Sequence, residues 1–208
     1  MRRLTLVFCI LFAFFSSRAQ EGEILVSLDE RFFNLLLDSV FKEELEFSIA
    51  EFREEGFIKA SFDCKETVKL RKRIGDRQSE IQFREKRILA LIAFTGSYNF
   101  PFLGCLDFSG VAESLINLEY GAEKRSIFAR VKVLSVNLSG TGGIGGSLIA
   151  KMVQGTVDRK INPIEVINLD RLSFNFSVKE RQVQMKALAI RYEVMEDRMN
   201  IFIRYVFD

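Results

Sequence analysis

SGTGGIGGSLIAKMVQGTVDRKINP, residues Ser139–Pro163, decides how the rest of the chain is read. A glycine-rich turn opens a helix over about Gly145–Lys160. Asn162-Pro163 closes it, because proline cannot continue a helix. Leu148, Ile149, Met152, Val153, Val157 and Ile161 recur at helical spacing and share one face. Gly155 lets a neighbour approach closely. The flanking sequence has strand character on both sides. A helix with one apolar face among strands needs a sheet to lie on, and those strands must supply it.

Upstream, Ser126–Ser139 alternates as a strand, but its phase slips. Phe128, Val131 and Val133 are followed by Leu134, Val136 and Leu138. A one-residue slip of this kind marks a β-bulge. Further back, Leu115–Tyr120, Glu80–Tyr98, Thr67–Ile74, Phe57–Phe62 and Leu45–Ala50 read as strands, with turns at Glu54–Gly56, Gly75–Arg77 and Gly121–Lys124. Ile24–Val26 is a short first strand. Ser27 and Glu30 form an S-x-x-E capping box before a helix over Leu28–Lys42. Its apolar residues fill more than one stripe, so this helix is either buried on most sides or meets a partner. Leu172–Val178, Gln182–Glu193 and Met199–Phe207 supply three closing strands. Strands and helices do not alternate, which excludes a doubly wound parallel sheet. The expected class is α+β, with one strongly twisted antiparallel sheet wrapped around two helices.

The chain begins with a stretch set apart from this pattern. Arg2 and Arg3 precede an apolar run, Leu4–Phe15, and Ser17-Arg18-Ala19 offers small residues for cleavage. This is a secretory signal peptide over residues 1–19, with an uncleaved anchor as the alternative. The apolar run is below the ~20 residues of a membrane span. Removing 19 residues from 208 leaves 189, read as a single domain over residues 20–208. The leader carries three arginines and no acid, so its loss takes the formal charge from +2 to −1. The charge balance therefore gives no support to nucleic-acid binding. Localisation is expected to be periplasmic or extracellular. Cys64 and Cys105 remain after cleavage, and an oxidising compartment favours a disulfide between them over two buried thiols. The sequence has no histidine and no tryptophan, but 21 phenylalanines. The first absence removes Ser-His-Asp and Cys-His catalysis and the commonest transition-metal ligand. The phenylalanines suit a thick apolar interior or an apolar cavity, since Phe needs no polar partner.

Three patterns invite a functional reading. Gly140-Thr141-Gly142-Gly143-Ile144-Gly145 matches G-x-G-x-x-G between a strand and a helix. The preceding strand is polar on one face and the parallel sheet is missing, so a dinucleotide site is not expected. Gly146 stands where a P-loop needs lysine. Residues 65–87 hold nine Lys and Arg against four acids, while residues 42–55 hold six Glu against Lys42 and Arg53. Neighbouring strands of complementary charge account for this. The other reading is a basic patch of Lys69, Arg71, Lys72, Arg73, Arg84 and Arg87 for anionic head groups or a partner. Asn137-Leu138-Ser139 and Asn175-Phe176-Ser177 fit N-glycosylation, but both fall in expected strands. The acids are scattered, with no pair suggesting a glycosidase or a metal cage. No enzyme activity, metal or cofactor is expected.

The early strand and helix of Ile24–Lys42, the Phe-rich strands, and the late helix running into Lys160-Ile161-Asn162-Pro163-Ile164 make a pattern. Together with the alternating C-terminal strands, it resembles the small exported bacterial members of the TULIP (tubular lipid-binding) superfamily. The resemblance is one of architecture and covers most of the chain after the leader. It implies a half-barrel sheet rolled around helix, leaving an apolar groove for acyl chains. Phe32, Leu36, Val40, Met152, Val153 and Val157 are the candidate lining, each equally readable as core. The expected function is binding of a lipid or other hydrophobic ligand, with a membrane surface or envelope protein as a further partner. The alternative is an envelope adaptor with a filled core that binds a protein through a strand edge or its basic face.

Overall fold

A computed structural model describes residues 20–42, 45–49, 64–100, 104–139 and 145–207. The expected signal peptide at 1–19, the expected strand at Phe57–Phe62 and the expected turns at 54–56 and 140–144 lie outside the described residues. The chain divides into two compact units. One holds residues 26–168 and 192–201, the other residues 1–25, 169–191 and 202–208.

The fold is α+β, dominated by antiparallel sheet that curls, with two α-helices among the described residues. The strands form two larger sheets and a ribbon instead of the one sheet expected. In chain order they are β1 (Gln20–Asp29), α1 (Glu30–Val40), β2 (Glu46–Ser48), β3 (Thr67–Arg71), β4 (Arg73–Ile74), β5 (Arg77–Gln78) and β6 (Glu80–Arg84). Then follow β7 (Arg87–Phe100), β8 (Gly104–Gly121), β9 (Ser126–Ser139), α2 (Gly146–Lys160) and β10 (Ile164–Asn168). After one 3-10 turn come β11 (Phe174–Val178), β12 (Arg181–Val194) and β13 (Arg198–Phe207). The seven-stranded sheet runs β10-β9-β8-β7-β3-β2, with β6 also on β7. The four-stranded sheet runs β1-β13-β12-β11, and β4 pairs β5.

The larger sheet is organised by three long strands. β7 and β8 pair without interruption from Ile88↔Ile116 to Phe100↔Gly104. β8 and β9 pair along their length except at one point, where Ser135 opposes Glu113 and Val133 opposes Ser114. Leu134 is the extra residue, so the bulge sits where the apolar phase slips. On its other side β7 holds two shorter strands end to end, β6 against residues 87–91 and β3 against residues 93–97. Between them the chain leaves the sheet as the β4–β5 hairpin. Ser79 bridges this gap: its N–H donates to the Lys72 carbonyl at 2.9 Å, and its hydroxyl donates to Arg71 O at 2.7 Å. The same oxygen accepts from Ala93 N at 2.8 Å.

Glu80–Tyr98 is therefore not one strand, as its sequence suggests, but a hairpin. The turn is made by Glu85 and Lys86, both at positive φ (51° and 58°). A two-residue hairpin with the twist of its strands needs positive φ at both positions, usually met by Asn and Gly. Here no glycine announces it, and the β6–β7 ladder offsets the cost of two L-residues in that region.

Between β7 and β8 aromatic rings fill the space above glycines. Phe94 lies opposite Gly110 and Gly96 opposite Phe108, and the two rings meet edge-on at 6.1 Å. Around them Ile49, Val68, Tyr98, Ala112, Ile149 and Met152 complete the buried cluster. At one end of these strands Cys64 and Cys105 form a disulfide, with Cα atoms 5.6 Å apart and a sequence separation of 41. A loop of that length contributes about 3–4 kcal/mol by restricting the unfolded chain.

In the smaller unit Leu169, Met185, Ala187 and Tyr205 are buried. The Tyr205 hydroxyl donates to Leu172 O at 3.2 Å, and Ser173 Oγ accepts from Ala187 N at 2.9 Å. The Arg191 guanidinium lies over the Phe202 ring at 3.4 Å and pairs with Glu23 at 3.2 Å.

Two substitutions check this account by urea denaturation. A Cβ at Gly110 would fall 2.5 Å from the Asn137 carbonyl oxygen and 2.9 Å from the Phe94 ring. Gly110→Ala is expected to destabilise by about 1–3 kcal/mol, and an unchanged midpoint would refute the aromatic-over-glycine packing. Lys86→Gly is expected to stabilise by up to about 1 kcal/mol through relief of the left-handed residue. A loss of stability would contradict the hairpin geometry.

Candidate functional site

Every sheet has two edges, and each edge exposes backbone donors and acceptors that need partners. β6 borders β7 on one side only. Its other side meets α1. The Asn34 amide accepts from Ile81 N at 2.7 Å and donates to Ile81 O at 3.0 Å. Two residues on, the Glu30 carboxylate accepts from Phe83 N at 2.6 Å. Glu30 is thus drawn to the sheet, and no capping box forms with Ser27, which lies in β1. Asp29 caps the helix instead, accepting from Phe32 N at 2.9 Å.

The same device recurs on β9. Beyond Ala129, its outer edge has left β10 and meets α2. Asn162, just past the helix, accepts from Val131 N and donates to Val131 O, both at 2.8 Å. Gln154 accepts from Val133 N at 2.6 Å and reaches Val131 O at 3.3 Å. Asp158 holds both amides, accepting from Gln154 Nε2 and Asn162 Nδ2 at 2.8 Å each. Side-chain amides stand in for a missing strand and fix the helix against the sheet edge.

Between these elements lies an apolar cavity of about 290 Å3. α1 contributes Leu37 and Val40. α2 contributes Val153, Thr156 and Val157, with Ile161 just beyond. The sheet contributes Phe47, Val68, Leu70, Ile81, Ile92, Phe94, Ile116, Val131 and Val133. Its floor is made of small residues, Ala90, Ala112 and Ser114, with Ala90 and Ser114 directly opposite each other on β7 and β8. Those side chains leave room that larger ones would fill. Among the described lining residues Ser114 and Thr156 carry the only polar side-chain atoms, and the Thr156 hydroxyl donates back to Met152 O at 3.0 Å. None of the described lining residues is ionisable. At roughly 30 Å3 per water-sized group, the space takes on the order of ten methylene-sized groups.

Three of the six expected lining positions, Val40, Val153 and Val157, border this cavity. Met152 is buried in the adjoining core cluster, 2% exposed. Phe32 and Leu36 face outward, 46% and 54% exposed. The expected helical periodicity is present, but α1 turns a different arc to the sheet because Asn34 and Glu30 are tied to β6.

The opposite face of the sheet is polar. Two clefts there, of about 470 and 480 Å3, are bordered by Thr67, Thr95, Ser97, Ser109, Asn137 and Ser139 among others. Lys69 lies opposite Glu46 across β2 and β3 and pairs with it at 3.1 Å. The hydrogen bond from Lys69 holds the Glu46 carboxyl below its usual range. Arg71 Nε donates to Thr95 Oγ1 at 3.1 Å, Lys72 pairs with Asp38 at 2.9 Å, and Arg73 donates to Gln78 at 2.7 Å. Arg87 pairs with Glu85, and Arg84 is exposed on β6. The basic segment is thus distributed among neighbouring partners, five of its six residues bonding to side chains nearby.

Sequence reading did not single out Asn34, Gln154 or the small floor residues, and read Asn162 only as part of the helix stop. The available signal was an amide on an otherwise apolar stretch, as at Asn34 between Phe33 and Leu35. No protein-family model matches this chain, and no curated protein matches it either.

Asn162→Ala leaves the Val131 N–H without its acceptor and weakens the bond at the carbonyl. The expected cost is about 1–3 kcal/mol in urea denaturation. A change below about 0.5 kcal/mol would show that water replaces the amide at no cost.

Proposed function

We propose that this protein is an exported, non-enzymatic carrier that holds a lipid acyl chain or similar hydrophobic ligand in the cavity between sheet and helices. In this reading the curled sheet wraps the two helices in the manner of a TULIP domain, and Cys64–Cys105 braces it in an oxidising compartment. The observation that carries the reading is the apolar lining of a space of about 290 Å3. Apolar matter entering it is stabilised by roughly 25 cal/mol per Å2 removed from water.

A second reading draws on β11. It is an edge strand of the four-stranded sheet, and Phe174, Phe176 and Val178 are all exposed. A partner protein adding a strand there would make this an adaptor.

Native mass spectrometry of the chain without its leader, purified without detergent and titrated with palmitate, separates the two. The carrier reading expects a discrete adduct. It also expects Ala90→Leu, which fills the floor, to cut palmitate uptake by roughly tenfold or more with no loss of thermal stability. Failure of the unmodified chain to take up fatty acid or phospholipid would sink the carrier reading and leave the edge-strand reading. Because none of the described lining residues is ionisable, uptake of an uncharged ligand such as a long-chain alcohol is expected to be constant between about pH 5 and 9.

A further inference from the structure

α1 is apolar on two sides and buried on none. At 3.6 residues per turn, Phe33, Leu37 and Val40 lie on the arc facing β6 and the cavity. The Phe33 ring meets Phe83 at 5.5 Å, and Leu37 and Val40 line the cavity. Phe32, Leu35 and Leu36 lie on the opposite arc, 46%, 58% and 54% exposed. Ser39 shares that outer arc, but its hydroxyl donates to Leu35 O at 3.0 Å and is spent within the helix. The acids of the helix are also engaged: Glu30 with Phe83 N, Asp38 with Lys72, Asp29 with Phe32 N. Exposed Arg31 and Lys42 stand at either end of the apolar surface. Val40, itself 44% exposed, belongs to both surfaces, so apolar side chains run unbroken from the outer arc into the cavity.

We infer that α1 is a membrane-contact helix: Phe32, Leu35 and Leu36 enter the interfacial layer of a lipid bilayer while the rest of the unit stays in water. Among the described residues no helix is long and apolar enough to cross a membrane. The contact is therefore a helix lying in the interface, with its apolar arc in the acyl boundary and its cations at head-group level. A bilayer is favoured over a folded protein because the outer arc joins the cavity through Val40. An acyl chain leaving the bilayer would stay against apolar side chains all the way in. That delivery step, and with it the choice of a bilayer over a folded protein, rests on the carrier reading.

The test is flotation of the chain without its leader on vesicles of phosphatidylglycerol and phosphatidylethanolamine. Three proteins are compared: the unmodified chain, Phe32→Ser with Leu36→Ser, and Ala90→Leu. The outer-arc double variant is expected to lose vesicle binding by roughly tenfold or more while keeping its circular dichroism and its uptake of a soluble short-chain fatty acid. Ala90→Leu is expected to float like the unmodified chain, so a failed carrier reading and a failed membrane reading give different patterns. Should the double variant not fold, Leu35→Glu, a single change at the most exposed position of the arc, is expected to show the same loss. The inference is overturned if the unmodified chain does not float, or if the outer-arc variants float as it does. It is equally overturned if the face instead drives self-association, seen as a dimer in size exclusion that these variants dissolve without any vesicle binding.

Discussion

The larger unit depends on how two sheet edges are closed. A seven-stranded sheet that does not join into a barrel leaves backbone donors and acceptors unpaired on its flanking strands. Each one, buried without a partner, costs about 1–3 kcal/mol. Proteins commonly blunt such edges with charge, proline or a covering element. Here Asn34 on α1, and Gln154 and Asn162 at α2, bond to the backbone of β6 and β9 as a neighbouring strand would. An amide carries both a donor and an acceptor, so one side chain can meet both groups of a residue. The helices are thereby located by directional bonds at the sheet margin.

That choice has a consequence for packing. A helix held to a sheet by apolar contacts alone must fill the space beneath it, since stability then comes from density. A helix fixed at the margin by hydrogen bonds can stand over a gap. The floor completes the arrangement: Ala90, Ala112 and Ser114 stop short, while Phe94 and Phe108 fold over the glycines opposite them. Bulk is concentrated in the Phe94–Phe108 cluster and withheld from the neighbouring part of the same strands. The cavity is thus a property of the pattern along β7 and β8, repeated on adjacent strands.

Much of this was legible in the sequence where the signal is local. The stripe Ile149, Met152, Val153 and Val157 places α2, and the slip between Val133 and Leu134 places the bulge, because each reports one element's own period. The cysteine pair was legible through compartment chemistry. The hairpin at Glu85–Lys86 was not, because positive φ there is imposed by the ladder of β6 with β7 and not by the turn residues. The capping of α1 was misread for a related reason. Glu30 has a local partner in Ser27, but a distant one, Phe83 N, takes it. Asn34 and Asn162 have partners 47 and 31 residues away, a separation that no local periodicity reports.

The two helices are not equally held. α2 buries Ile149, Met152 and Thr156 and has two amides bonded to β9. α1 buries nothing. Its attachments are the Asn34 pair, the Glu30–Phe83 bond, one ring contact, and an ion pair of Asp38 with Lys72 that is too exposed to contribute much. Elements with few buried contacts open at lower free energy than the core they rest on. Displacing α1 would uncover Leu37, Val40 and the cavity wall formed by Ile81, while β7, β8, β9 and α2 keep all their pairings. Opening beside α1 is therefore expected to cost less than opening beside α2.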